Sequence, residues 1–530
     1  RLLLLFAILF LIWALNPANG LVLREYGATT RKIATGVAIA LNLILFLVMV
    51  RWGAAFLHPV WSYHYQYQEL ARSISEGHLW IDVGSEDLKS ALAAMDNPYD
   101  FRLRLGTVPG SEEVWDTSYF GGRFYVYFGI VPELLYYLPC YLLLHRDFPT
   151  WVGVFLSGGL ALVGAYMLVL RLCAKAFPRI PQIWRLTLAA ILANSVNFLI
   201  AMLHADLYYL PIMTAMACVF WGFFFLLETR VRLEEGRGAA GCACLGGFLL
   251  ALTAGCRPQF LASSLLLIPL FWKETRAAFG KDGKKERSAL IAALIPYLVV
   301  GVLLMIYNAA RFGSPFDFGA TYVLTNNDMN HRSKNAELLL SGIYSYFLQP
   351  TGISYMFPFV QTVTHYFGYL GTLIYDYTVG GLLWSVPLLL GFGFLGAVRS
   401  ALAQKRLFGC TVLAAVLSVV VAAADATMAG VQVRYYLDFL YLGVIAAGLV
   451  LLALTDRVFG GDWTRGFAAD EAKDASRGSV QVPLREKYLR AFLLITGFYG
   501  IFFQFMAAVK NSGMLDDNVQ VYYAIKAFFP

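Results

Sequence analysis

The run Phe124-Tyr-Val-Tyr-Phe-Gly-Ile-Val-Pro132-Glu-Leu-Leu-Tyr-Tyr-Leu-Pro139-Cys-Tyr-Leu-Leu-Leu-His145 decides how the whole chain is threaded. It is long and apolar enough to be counted as a membrane span, yet Pro132, Pro139 and Glu133 interrupt it. Its neighbours decide the matter. Short loops rich in Lys and Arg stay in the cytoplasm, and two such clusters flank it: Arg24, Arg31 and Lys32 before, and Arg171, Lys175, Arg179 and Arg185 after. Keeping both clusters inside requires an even number of crossings between them. The apolar runs 33–57 and 151–172 already supply two, so 124–145 is expected to lie at the outer interface or to dip in and return.

Working outward, apolar runs near 20 residues fall at 2–20, 33–57, 151–172, 186–203, 207–227, 239–255, 258–272, 289–307, 379–399, 408–428, 435–455 and 489–508. The expected fold is an all-α polytopic membrane protein with about 12 transmembrane helices and a large first outer loop containing interfacial helices. Composition agrees: 59% of the 530 residues are hydrophobic and 15% aromatic, while only 14% are charged, against about 25% in soluble domains. That charge is too little to cover three or four soluble domains. The net charge of +7 reports basic inner loops rather than nucleic-acid binding, since no basic-aromatic patch accompanies it. The chain opens on Arg1 rather than Met, which reads as the result of a cut.

This threading puts the remaining basic clusters, around Arg230, Lys273–Arg287, Arg399–Arg406 and Arg457–Arg490, on the inner side. Two long segments, 58–150 and 308–378, fall outside, dense in aromatic residues, Pro and Gly. All seven histidines lie on that side or at its edge. The division expected is a membrane module over 1–455 with its two outer loops, a cytoplasmic loop over 456–488, and a last span with an outer tail over 489–530.

Candidate chemistry follows the same side. In Trp115-Asp-Thr-Ser-Tyr-Phe-Gly-Gly-Arg-Phe-Tyr-Val126 an acid and a base flank aromatic residues, which suits proton abstraction beside an anionic headgroup, with Asp116 and Arg123 as the pair. The other reading is a turn-capping Asp116 and an Arg123 reaching lipid phosphate. Glu69, Asp96 and Asp100 are further acids of the first outer loop; the Asp96-Asn-Pro-Tyr-Asp100 run also reads as a turn. His204 and Asp206, Arg257 with Pro258, and Asp425 with Arg434-Tyr-Tyr-Leu-Asp438 place ionic groups at apolar edges, where unpaired charge is costly. A guanidinium there can grip a phosphate through its forked donors or pair with an internal acid. In the second outer loop Arg311, Asp317, Asp328 and His331 stand in Gly- and Pro-punctuated runs.

Other signals are negative. Gly391-Phe-Gly-Phe-Leu-Gly396 matches a dinucleotide pattern but sits in an apolar span with no preceding strand, so helix packing explains it. There is no Walker loop, G-x-S-x-G or H-E-x-x-H. The seven cysteines form no C-x-x-C pair and read as packing residues. A Mg²⁺ or Mn²⁺ ion held by outer acids is compatible with the sequence, and no other cofactor is called for.

Together the outer loop, the hairpin and the second outer segment resemble the GT-C glycosyltransferases that use polyprenyl-phosphate-linked sugars, similar to the protein mannosyltransferase and aminoarabinose transferase branch. The resemblance lies in the Pro-containing, Tyr-rich stretch Tyr125–Pro139, the edge acid Asp206, the hairpin Arg257-Pro258, the pair Arg434-Tyr435 and Arg311-Phe-Gly-Ser-Pro-Phe-Asp-Phe-Gly319. It implies an inverting transfer on the outer face of the bacterial cytoplasmic membrane. The donor it implies is a polyprenyl-phosphate sugar and the acceptor a cell-envelope glycan, lipid or protein. Arg123, His64, His204, Asp206, Arg257, Arg311, His331, Arg434 and Tyr435 are the substrate-binding candidates. One place departs from the family: where it carries an Asp, about eight residues before an Ala-Arg like Ala71-Arg72, this chain has Tyr63-His64. Either Asp116, Glu69, Asp96 or Asp100 serves as base, or catalysis is altered or lost. The rival classes are a transporter or flippase of lipid-linked oligosaccharide and a noncatalytic glycolipid binder. A transporter would favour charges along the bilayer midplane over the rim.

Overall fold

The computed structural model describes residues 26–56, 65–325, 328–331, 336, 338–369, 372–460, 484–511, 523, 526 and 527. The first expected span and most of the 456–488 loop therefore lie outside the described residues, as do Tyr63 and His64. Among the described residues, eight helices are long and apolar enough to cross a membrane: Ala28–Arg51, Thr150–Ala176, Tyr209–Glu234, Lys284–Phe312, Pro387–Gln404, Phe408–Ala429, Val433–Phe459 and Leu484–Lys510. The other expected spans take shorter forms. The 186–203 run is two helices, Gln182–Asn194 and Phe198–Leu203, broken where Asn197 adopts a positive φ of 60°. The 239–272 region is a hairpin of two short apolar arms, Ala240–Gly255 and Pro258–Leu270. At about 1.5 Å per residue neither arm reaches the roughly 30 Å of a bilayer core. The residue between them, Arg257, is part-buried and paired with Asp438.

The run 124–145 holds only a short helix. Its helical part, Glu133–Leu144, has 12 residues, roughly 18 Å of rise, and the chain turns at His145 straight into the helix from Thr150. Glu133 points inward and is fully buried. The chain is not purely helical: strands β1 (Thr117–Phe120) and β2 (Arg123–Val126) form an antiparallel hairpin. Gly121 and Gly122, at φ of 59° and 77°, supply the tight turn between them. Short pairs Gly352–Ile353 with Val360–Gln361 and Val363–Tyr369 with Thr372–Thr378 add two more hairpins in the second long segment.

Small residues bring the helices together. We label Thr150–Ala176 α1, Tyr209–Glu234 α2, Phe408–Ala429 α3 and Tyr436–Phe459 α4. On α1, a Cβ at Gly158 would sit 2.3 Å from Met202, and one at Gly164 would sit 3.0 Å from Trp221 of α2. Ser157 of α1 hydrogen-bonds Thr214 of α2 at 3.0 Å and Tyr136 at 2.7 Å, satisfying hydroxyls in an apolar interior. Gly391 packs where a Cβ would lie 2.8 Å from Leu451, so the dinucleotide-like run is a packing feature. All seven cysteines are free.

The polar ends sort by charge. The basic clusters meet at one end, where Arg406 bridges Glu234 and Glu274, Arg171 pairs with Glu228 and Lys175 with Glu235. The two long segments meet at the other, the loop end. There Arg104 donates to the Thr325 carbonyl at 2.8 Å, Asn97 to Asp328 at 2.7 Å, and Ser118 bridges Val323. Burial pushes the Arg104 guanidinium down to about 10, with Asp100 and Asp116 opposing that fall. The loop after β2 is then pressed onto the short hairpin: a Cβ on Gly129 would lie 2.3 Å from both the Gly255 and Cys256 carbonyl oxygens. Gly129→Ala is therefore expected to cost about 1–3 kcal/mol by overpacking, seen as a lower melting temperature in detergent, whereas Gly121→Asn at the turn should leave it unchanged.

Candidate active site

Five separated parts of the chain converge at the loop end. The first is Asp116, just before β1, with a positive φ of 53°. Asp is among the few residues that accept this backbone region. Its N–H donates to the Leu324 carbonyl at 2.9 Å, and Leu324 N–H returns a bond to Thr117 at 2.8 Å. The second long segment thus fixes the backbone that carries the carboxylate of the first. That carboxylate accepts a hydrogen bond from the Tyr208 hydroxyl, 92 residues away in sequence.

Tyr208 stands at the start of α2, where Asp206 accepts from the Tyr208 N–H at 2.8 Å and the Tyr209 N–H at 3.2 Å. Asp206 is a helix cap that satisfies orphan donors. Above the Tyr208 ring lies the Arg434 guanidinium, 4.7 Å from the centroid, while Phe128 meets the ring edge-on at 5.4 Å. Arg434 is close enough to Asp116 to feel its charge. The Tyr435 ring has two guanidinium groups near it, Arg434 at 5.2 Å and Arg257 at 5.5 Å from its centre. Arg257 in turn donates to Asp438, which is fully buried on the first turn of α4. Among the described residues, Arg257 Nε and Asp438 Oδ1 have no hydrogen-bond partner. Asp425, near the end of α3, is buried close by and acts on Arg257 electrostatically.

The arrangement can bind an anion and take a proton. Two arginines beside one aromatic ring offer forked donors of the kind that bind phosphate. A half-buried carboxylate held on a phenol hydroxyl lies on the Arg434 side, and a carboxylate is a group that can accept a proton.

Other sequence candidates sit elsewhere. Arg123 is at the hairpin tip, exposed and 3.7 Å above the Trp80 ring. Asp116 is at the opposite end, roughly 13 Å away at about 3.3 Å per residue, so the expected Asp116–Arg123 pair is not formed. Asp100 caps the helix Phe101–Thr107, accepting from Arg102 N–H at 2.9 Å, and Asp96 is exposed in the turn before it. Glu69 pairs with Arg72, which also holds Asp147 at 2.7 Å. Partial burial lifts the Glu69 carboxyl above its ordinary range, with Arg72 opposing that rise. His204 bonds the Ile200 carbonyl at 3.0 Å and stacks on Tyr209. Arg311 is buried, donates to the Val126 carbonyl and to Asn308 at 2.9 Å each, and lies over Tyr307. It anchors the end of β2. His331 is exposed and paired with Asp328 at 2.7 Å. Although burial alone would raise Asp328, the bonds from His331 and Asn97 hold it below its ordinary value.

Tyr208 is the member that sequence reasoning did not name, and Asp438 was noted without its partner. Among the described residues, no three of the acids Asp116, Asp206, Asp425 and Asp438 converge as a set of metal donors.

No family model matches the sequence, and no curated protein matches it. Solved structures are similar at low identity. ArnT from Cupriavidus metallidurans bound to undecaprenyl phosphate is 11% identical with a TM-score of 0.42, over 94% of this chain and 80% of that one. The oligosaccharyltransferase of Archaeoglobus fulgidus in its apo form is 14% identical with a TM-score of 0.48, over 90% and 56%. The oligosaccharyltransferase AglB of the same organism, in complex with an inhibitory peptide and a dolichol-phosphate, is 13% identical with a TM-score of 0.42, over 88% and 55%. The chain thus spans little more than half the length of the archaeal structures.

Proposed function

We propose that the chain is an integral membrane glycosyltransferase that moves a sugar from a polyprenyl-phosphate donor to a cell-envelope acceptor. The loop end would face the outside of the bacterial cytoplasmic membrane, with the basic end in the cytoplasm. One observation supports this above the rest: Asp116, Tyr208, Arg434, Tyr435 and Arg257 are brought from distant segments to one rim of the bundle, next to apolar helix surface.

In this reading Arg434 and Arg257, both beside Tyr435, hold the lipid phosphate. The acceptor hydroxyl attacks the anomeric carbon from the face opposite the phosphate, forming the new glycosidic bond. The carbon–oxygen bond to the phosphate breaks, its electron pair leaves with the lipid phosphate, and the acceptor proton passes to Asp116. Single displacement inverts the anomeric configuration. Asp116, Asp206 and Asp438 are engaged by Tyr208, by the α2 N–H groups and by Arg257, and assays with and without Mg²⁺, Mn²⁺ and chelator address the ion expected from sequence.

Binding of polyprenyl phosphate to the purified protein tests the phosphate assignment. A charge-assisted contact contributes about 1.5–3 kcal/mol, so Arg434→Gln is expected to weaken lipid-phosphate binding roughly 10- to 150-fold while polyprenol without phosphate binds both forms equally. Equal phosphate affinity in wild type and Arg434→Gln would remove the phosphate from this place.

A further inference from the structure

In the first long segment, Glu76, His78 and Asp82 present three ligand atoms that all lie within 4.8 Å of one another. This cluster is separate from the site above, and the reading of it does not depend on the transferase proposal. It is built by local chemistry. Glu76 ends the helix Gln66–Ser75, and Gly77 then takes φ +92°, which turns the chain so that His78 N–H bonds the Ser73 carbonyl at 3.0 Å. The imidazole stacks on Trp80 at 4.2 Å, and its Nδ1 faces the Trp80 carbonyl at 2.9 Å. A carbonyl only accepts, so Nδ1 carries the proton, and in the neutral ring Nε2 is left with a lone pair. That lone pair points at two carboxylates: Nε2 is 3.4 Å from Glu76 Oε2 and 3.4 Å from Asp82 Oδ2.

Glu76 and Asp82 are exposed and His78 is largely buried, so three acceptors meet at the surface in a form that suits a cation. A proton on Nε2 is the simplest candidate, but charge-assisted N–H···O bonds close to about 2.7–2.9 Å, and both separations are longer. They do match another length. Ligands at about 2.0–2.1 Å from a tetrahedral zinc ion are about 3.4 Å apart, whereas the right-angled ligands of an octahedral magnesium ion would be about 2.9 Å apart. The imidazole whose second nitrogen donates to a backbone carbonyl is the arrangement that orients metal-bound histidines. The C-terminal end of the Gln66–Ser75 helix adds negative potential at the same spot.

We propose that Glu76, His78 and Asp82 form a divalent-cation site of zinc type, with three protein ligands and an open fourth position. Its place suggests a clamp. Trp80 carries Arg123 on its ring, and Ile81 pairs with Phe124 of β2, so a metal here would fix the turn that supports the β1–β2 hairpin.

The test uses the full chain, free of affinity tag, stripped with chelator and held in detergent. Zn²⁺ titration is expected to show one equivalent bound, Co²⁺ to give the intense visible absorption of a tetrahedral site, and Zn²⁺ to raise the melting temperature. Glu76→Gln/Asp82→Asn keeps the His78–Trp80 stack and should bind Zn²⁺ at least tenfold more weakly; His78→Gln should lose the Co²⁺ spectrum. Equal zinc binding by wild type and the double variant overturns the proposal. So does stabilisation of the wild type by Mg²⁺ but not Zn²⁺, or stabilisation by mild acid with no metal effect, which would assign the site to a proton.

Discussion

Asp116→Asn is expected to lower sugar transfer about 10²- to 10⁴-fold, the range for losing a positioned general base, with little change in donor binding or melting temperature. The substitution is chosen for its physics. Asn tolerates the positive φ that this position requires, and its amide oxygen can still accept from the Tyr208 hydroxyl. What disappears is the proton acceptor. The loss should fall on kcat, and Tyr208→Phe should produce a smaller drop because it removes the orienting donor but leaves the carboxylate. Glu69→Gln is the control, since Glu69 is engaged with Arg72 and the Asp147 side of its helix. If Asp116→Asn retains activity within a fewfold while Glu69→Gln abolishes it, the base has been assigned to the wrong acid.

Arg257→Leu is expected to be the most destabilising single change at the site. Asp438 has no exposed surface, and removing one member of a buried ion pair typically costs about 3–5 kcal/mol because the other is left uncompensated. The melting temperature should fall steeply, and Asp438→Leu alone should do the same by stranding the arginine. Arg257→Leu/Asp438→Leu should recover much of the stability, since an apolar pair of similar volume replaces the ions. Transfer should not recover with it. Recovery of both stability and turnover would reduce Arg257 to a structural partner of Asp438 and leave phosphate binding to Arg434.

The long apolar helices and the grouping of several basic loops were legible because they rest on charges and lengths. Three of the basic loops that the sequence assigns to one side are in contact through Arg406, Glu234 and Glu274, and the run ending at His145 holds a helix of only 12 residues. The β1–β2 hairpin was legible in principle: Gly121-Gly122 between aromatic residues is a turn signal, but the surrounding apolar periodicity drew attention to helices. The site was half visible. Asp116, Arg257, Arg434 and Tyr435 stood out as ionic or aromatic groups at apolar edges, where such groups are costly. Their partners were not visible, because the Asp116–Tyr208 and Arg257–Asp438 contacts span 92 and 181 residues and are set by packing alone. The same limit explains Arg123 and Arg311. Each has the chemistry to bind phosphate, and the fold assigns one to Trp80 and the other to the end of β2.

The central claim is that this rim turns over a lipid-monophosphate sugar. It is tested most directly by sugar release from a panel of synthetic polyprenyl-monophosphate sugars, using purified full chain in nanodiscs with an acceptor-containing lysate. The account predicts turnover of a particular donor, inversion at the anomeric carbon and loss of both in Asp116→Asn. No release from any donor, with and without Mg²⁺ or Mn²⁺, would contradict it and move the chain to the glycolipid-binding or transport classes.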